Sequence, residues 1–135
     1  APFRRRLEWA VPGPLDVLAM RQAAAALAGT HGFRALSAVG PAREHWRCRV
    51  TEAVWQARED APGLEFWITA DRFLHRMVRF LVGTMIDIAR GRRPATDLAR
   101  LLAAEDNRCA SPPAPPHGLF LVAVRYPAHL YEDRL

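Results

Sequence analysis

The sequence predicts an α+β domain of the split βαβ, ferredoxin-like kind, an antiparallel sheet with helices packed on one face. Three observations carry this expectation. Strand-like and helix-like patterns follow one another in the order β-α-β-β-α-(α)-β. The two central strands are joined by a short turn, as in a hairpin. Half of the 135 residues are hydrophobic, enough to build one core in a chain the size of one ordinary domain.

The elements can be justified in order. RLEWAV reads as a first strand. LDVLAMRQAAAALA, residues 15–28, sets Leu15, Leu18, Ala19, Gln22, Ala25 and Ala26 at helical spacing in an Ala-rich stretch, with Gly29 as the stop. GTHGF is expected to turn the chain. HWRCRVTEAVWQARE, rich in Val, Thr and Trp, fits a strand, and APG supplies turn chemistry after it. LEFWITAD alternates, with Leu64, Phe66, Ile68 and Ala70 on one face and Glu65, Trp67, Thr69 and Asp71 on the other. A long helix is expected from about residue 72 to residue 90, ending at Gly91. A second short helix follows Pro94 through DLARLLAAED. CASPPAPPHG is irregular because of its prolines, and GLFLVAVRYP is a final strand before a fraying tail. The sheet face away from the helices is left with Trp and Arg side chains and no cover, which suggests a partner surface.

Charge and composition bound the function. The net charge is +5, from 19 basic against 14 acidic residues, and every basic residue is Arg. Arg bias in the source genome and a polyanionic partner explain this equally well; guanidinium forks match phosphate oxygens, and basic proteins gain affinity by releasing counterions from nucleic acid. Cys48 and Cys109 are too few for a zinc site without histidines. His45 and Cys48 have a ligand-like spacing but no second half, so two reduced thiols are expected and no metal. No apolar run approaches the roughly 20 residues of a membrane span. The basic N-terminal cluster has no apolar run behind it, unlike a signal peptide. The expectation is a soluble, cytoplasmic protein.

The segment ADRFLHRMVRFLVGTMIDIARGR concentrates the functional signal. At about 100° per residue, Arg72, Arg76, Arg79, Gly83 and Arg90 fall in a narrow arc opposite Phe73, Leu74, Met77, Leu81, Met85 and Ile88. A surface helix showing arginines to water would account for most such stripes. Here Asp87 is the single acidic residue on the seam, which is flanked by Phe80, Val82 and Ile86. Arginines in a partly enclosed seam call for an anion, a carboxylate or a phosphate. Gly83, on the same seam, would let another backbone or a ligand come close.

Four blocks, in order, resemble the tRNA pseudouridine synthase A family. FLHRMVRFLVGTMIDIARGR is similar to its F-x-x-x-M-V-R helix with the following V-G and small-G-basic positions. MRQAAAALAGTHGFRAL resembles its helix and G-T-H-D-F block. The Arg- and Trp-rich hairpin comes next, and PPAPPHGLFLVAVRYP resembles its A-P-x-H-G-L strand. Neither the family's R-T-D-x-G-V-H motif, which carries the catalytic aspartate, nor its R-x-Y-x-Y strand occurs here. The resemblance therefore implies that residues 1–135 are the C-terminal half of such an enzyme, with the catalytic N-terminal half absent.

The implied activity is the isomerisation of uridine to pseudouridine in the anticodon stem-loop of tRNA. The aspartate attacks the nucleoside, the C–N glycosidic bond breaks, the uracil turns and C5 rejoins the sugar; no cofactor or metal is needed. Implied partners are tRNA, the missing N-terminal half and a second copy in a homodimer. Matched residue by residue, Arg79 would pair with the catalytic aspartate, while Leu81, Val82 and Gly83 would shape the pocket. On charge and position, Arg72, His75, Arg76, Arg90, Arg92 and Arg93 are candidates for RNA contacts. Phe80 stands where the family commonly has Asn, removing a polar neighbour of the pocket, and Gly32 replaces the Asp of G-T-H-D-F, loosening a turn. A non-catalytic RNA-binding module and a dimerisation domain are the alternative readings. Among the other candidates, His117 is expected to anchor the proline loop by a hydrogen bond, and Trp46, Trp55 and Trp67 are favoured as packing residues over base-stacking platforms.

Overall fold

A computed structural model describes residues 2–9, 11, 13–38, 46–104 and 106–124, the last five of these by backbone alone. His45 and His129 lie outside the described residues. Five strands form one sheet in the order β2-β3-β4-β1-β5: β1 Phe3–Glu8, β2 Gly29–Gly32, β3 Arg47–Ala57, β4 Leu64–Ala70 and β5 Leu119–Val124. Every paired neighbour is antiparallel. The inner order β3-β4-β1-β5 is the split βαβ arrangement, with β2 added at one edge. The helices α1 (Val17–Ala25), α2 (Met77–Ala89) and α3 (Asp97–Leu102) complete the fold.

Alternation decides which side of the sheet is greasy. Leu7 of β1, Trp55 of β3, and Phe66, Ile68 and Ala70 of β4 are buried, and the register sets Trp55 opposite Phe66 with ring centroids 5.1 Å apart. Trp55 Nε1 lies 3.3 Å from Met85 Sδ of α2, so the ring bridges sheet and helix. Eleven of the thirteen residues of α2 are buried, which makes it the central rod of the core.

Several expectations are corrected. β1 spans Phe3–Glu8, three residues earlier than the expected RLEWAV, so Arg4, Arg5 and Arg6 all lie in the strand. GTHG is an edge strand paired with Arg47–Val50. In α1 the side chain of Asp16 accepts from Ala19 N at 3.1 Å and starts the helix at Val17. The buried positions are then Met20, Ala23, Ala24 and, just beyond the helix, Leu27, whereas Leu18 is 67% exposed. In an Ala-rich helix the two bulky residues Met20 and Leu27, a seven-residue step apart, choose the face. α3 ends at Leu102, short of the expected DLARLLAAED.

The largest correction concerns residues 72–76, which are not helical. Arg76 has φ 59, a left-handed conformation that blocks propagation toward the N-terminus. The backbone groups here are spent elsewhere: Asp71 N donates to Arg49 O at 3.0 Å, and Ala38 N donates to the His75 carbonyl at 2.8 Å. The connection is tied across the sheet end instead of wound into α2.

Phe66 has no exposed surface and packs its ring against Trp55 in the core. Phe66→Ala is expected to cost about 3–5 kcal/mol of stability, read as a lower urea midpoint with an unchanged slope; a shift below about 1 kcal/mol would refute this core assignment.

Candidate anion site around Arg79

Arg79 lies in the first turn of α2 and is half-buried. Its Nε donates to the Ala114 carbonyl at 2.7 Å, and Ala114 N donates back to the Arg79 carbonyl at 2.8 Å. Two opposed bonds therefore fix this residue against the proline loop, and a charge-assisted bond of this kind is worth about 1.5–3 kcal/mol. Among the described residues no carboxylate lies within ion-pair distance of its guanidinium. With Nε engaged, the Nη1 and Nη2 end remains for an anion.

Gly83 supplies the clearance. One turn along α2 from Arg79, a Cβ there would fall on the Pro112 carbonyl oxygen. The close neighbour of Gly83 is thus the proline loop of the same chain, one of the two outcomes its position allowed. Leu81 and Val82 are fully buried in the core, and Phe80 is nearly so. His117 is exposed, and its ring makes no hydrogen bond among the described residues. The loop is held through Arg79 and Arg93 in its place.

The other predicted contacts separate into two groups. Arg72, His75 and Arg76 lie in the connection just before α2, with His75 and Arg76 exposed and Arg72 half-buried. Arg90, Arg92 and Arg93 lie at or beyond the far end of α2, roughly 20 Å away at 1.5 Å per residue. Arg92 faces Asp87 at 3.6 Å while remaining 65% exposed. Arg93 turns inward: Nε donates to Asp97 Oδ2 at 3.0 Å, Nη1 to Ser111 Oγ at 2.9 Å and Nη2 to the Cys109 carbonyl at 2.8 Å.

Helical spacing could not reveal the arginines of the strands. Arg47 and Arg49 are exposed on β3 beside the Asp71 connection, and Arg49 N donates to Asp71 Oδ1 at 2.8 Å. On the uncovered sheet face Arg4 stacks 3.9 Å from the Trp67 ring centroid and binds Glu52 through Nε–Oε1 at 2.8 Å and Nη2–Oε2 at 3.1 Å. Arg6 stands 4.0 Å from Glu65 and 3.5 Å from Glu8, and Arg58 stands 3.2 Å from Glu8. The expected Trp and Arg side chains are therefore on this face, but their charge is met within the chain. Trp67 is the tryptophan that shares it; Trp55 is in the core, and Trp46 packs against the Arg34 guanidinium at 4.5 Å.

Two titrating groups complete the electrostatics. Burial pushes the Cys48 thiol up to about 11, with Asp71 adding to the rise and Arg72 opposing it, so Cys48 is an inert core thiol. For Glu65, burial raises the pKa, but hydrogen bonds from Trp67 Nε1 at 2.9 Å and Gln56 Nε2 at 3.1 Å, the Arg6 charge and a hydrogen bond with Glu8 outweigh it and hold the carboxyl below its ordinary value. An apolar cavity of about 440 Å³ lies between Trp9, Leu15, Met20, Trp55 and Ile86. It is at the opposite end of α2 from Arg79.

Comparison with known proteins gives the family of the chain. Residues 23–127 match the model of the family described as tRNA pseudouridine synthase, and the chain belongs to that family. It is 43% identical over 128 residues to a tRNA pseudouridine synthase A of Myxococcus xanthus, an alignment covering 93% of this chain and 47% of that protein. It is 40% identical over 124 residues to one of Moorella thermoacetica, covering 92% and 50%, and 41% identical over 124 residues to one of Chloroflexus aurantiacus, covering 87% and 43%. The chain spans about half the length of these curated relatives. Among the described residues no helix is long and apolar enough to cross a membrane.

A carboxyl whose native pKa is lowered adds stability that is present above its unfolded pKa and is lost as pH falls through the native value. Urea midpoints compared at about pH 6 and about pH 3 are expected to fall on acidification, and to fall less in Glu65→Gln. An equal drop in the two proteins would remove Glu65 from the acid side of the stability curve.

Proposed function

We propose that the chain is the C-terminal half of a tRNA pseudouridine synthase that isomerises uridine in the anticodon stem-loop of tRNA. The observation that carries the reading is Arg79, half-buried, oriented through Nε and without a carboxylate partner among the described residues. Its Nη1 and Nη2 end suits a carboxylate met end-on, the role of the aspartate that the N-terminal half would supply. A guanidinium there holds that aspartate ionised and fixes its direction of attack. Scission of the C–N bond, rotation of the uracil and rejoining through C5 then need no metal or cofactor. What Arg79 contributes is orientation and charge.

Leu81, Val82 and Gly83 form the wall behind this site, with Gly83 keeping the loop close. Exposed His75 and Arg76, with Arg72 beside them, are the phosphate contacts nearest to Arg79, and Arg90 and Arg92 give a second group along the RNA. Such contacts position tRNA without reading its sequence. The full enzyme is taken to be a cytoplasmic homodimer with tRNA lying across both subunits, the target base flipped into the pocket.

In the full-length enzyme, Arg79→Ala is expected to leave the tRNA dissociation constant within about twofold and to lower the single-turnover rate on the order of a hundredfold. Affinity lost with no rate to lose would support the RNA-binding module. Stability that depends on protein concentration and is indifferent to tRNA would support the dimerisation domain. The 135-residue chain alone, incubated with unmodified tRNA, is expected to form no pseudouridine; appreciable turnover would place the nucleophile within it.

A further inference from the structure

We infer that Arg93 is a positioning residue for Arg79, acting through the proline loop as a rigid strap, an inference that rests on the role proposed above for Arg79. Arg93 follows the far end of α2, yet its guanidinium does not face RNA. The side chain is 13% exposed, and each of its three nitrogens is engaged: Nε with Asp97, Nη1 with Ser111 and Nη2 with the Cys109 carbonyl. With the side chain 13% exposed and three of its five N–H groups spent on these partners, the guanidinium is turned to the loop and not to an outside phosphate.

What Arg93 grips is the start of the segment whose other end holds Arg79. Ser111 is 4% exposed. Pro112 follows, its carbonyl set against Gly83, and Ala114 closes the two opposed bonds with Arg79. Pro112, Pro113, Pro115 and Pro116 surround this stretch, and each fixes its own φ. A segment so restricted cannot absorb a displacement at Ser111 locally, so the displacement reaches Ala114. Loss of the Arg93 grip moves the carbonyl that orients Arg79 Nε, and the Nη end then loses its aim. Asp97, 11% exposed at its side chain, anchors the strap to α3 by fixing Arg93.

The test uses the full-length enzyme and compares Arg93→Ala and Arg93→Lys with wild type. The direct readout is hydrogen exchange at Arg79 Nε–H, followed by NMR. It is expected to speed up by about tenfold or more in Arg93→Ala, with single-turnover rate reduced by a similar factor and the tRNA dissociation constant unchanged. Arg93→Lys keeps the charge beside Asp97, but its single nitrogen cannot span acceptors spread around a guanidinium fork, so it is expected to restore stability more than rate. Unchanged Nε–H exchange overturns the inference. Weaker tRNA binding with a shallower salt dependence also overturns it, in favour of a phosphate contact, as does a lower melting temperature with unchanged rate. Should Arg93→Ala fail to fold, Ser111→Ala removes only the Nη1 acceptor and is read by the same exchange. If the wild-type enzyme makes no pseudouridine, the proposed function fails, and the exchange measurement still decides the strap.

Discussion

Arg79 and Ala114 exchange hydrogen bonds in opposite directions, and the architecture around the candidate site follows from that pairing. A residue that donates through its side chain and accepts through its backbone to the same partner has lost both rotamer freedom and the freedom to slide along the loop. The helix must then let the loop approach, which only a residue without a side chain permits at position 83. The preceding connection leaves the helical path just before α2, tied to Arg49 and Ala38. Arg76 does this by taking a left-handed conformation. Glycine and proline loop are two sides of one constraint.

The sheet divides the arginines into two populations with different work. On the uncovered face, Arg4, Arg6 and Arg58 lie against Glu52, Glu65 and Glu8, with Trp67 beneath the first two. Such a surface is rigid and close to neutral, so it offers shape more than counterion release. At the sheet end around the Asp71 connection, Arg47, Arg49 and Arg76 are exposed and no carboxylate of the described residues pairs with them in an ion bridge. These arginines keep their charge available to a polyanion. The bare net charge of +5 could not say where the field would be strongest.

The strands were readable because side-chain alternation is a local property; LEFWITAD placed Leu64, Phe66, Ile68 and Ala70 on the covered face without reference to anything distant. The α2 interior was readable from the same kind of periodicity; Arg79 was singled out as a candidate by that periodicity joined to the family resemblance. Three features were not. The left-handed Arg76 depends on bonds to Ala38 and Arg49, far away in sequence. The buried face of α1 depends on which bulky side chain reaches the core, and Ala leaves that open. The inward turn of Arg93 depends on carbonyl and hydroxyl partners in a loop that has no period. Each is a long-range contact, and propensity sees only neighbours.

Core and chemistry close at different points in this protein. The β3-β4-β1-β5 sheet and α1 to α3 bury a continuous core within the described residues. The charge on Arg79 is not closed in the same way. Being only half-buried, its outer end can be solvated, so lacking a carboxylate among the described residues costs far less than a deeply buried, unpaired cation would. Its pairing energy is instead held back until an anion displaces that water. Orientation has already been enforced by the Ala114 bonds, so little side-chain entropy remains to be lost when the anion binds. On the function proposed above, an oriented guanidinium left unmatched among the described residues is suited to forming a catalytic pair with a carboxylate from another segment.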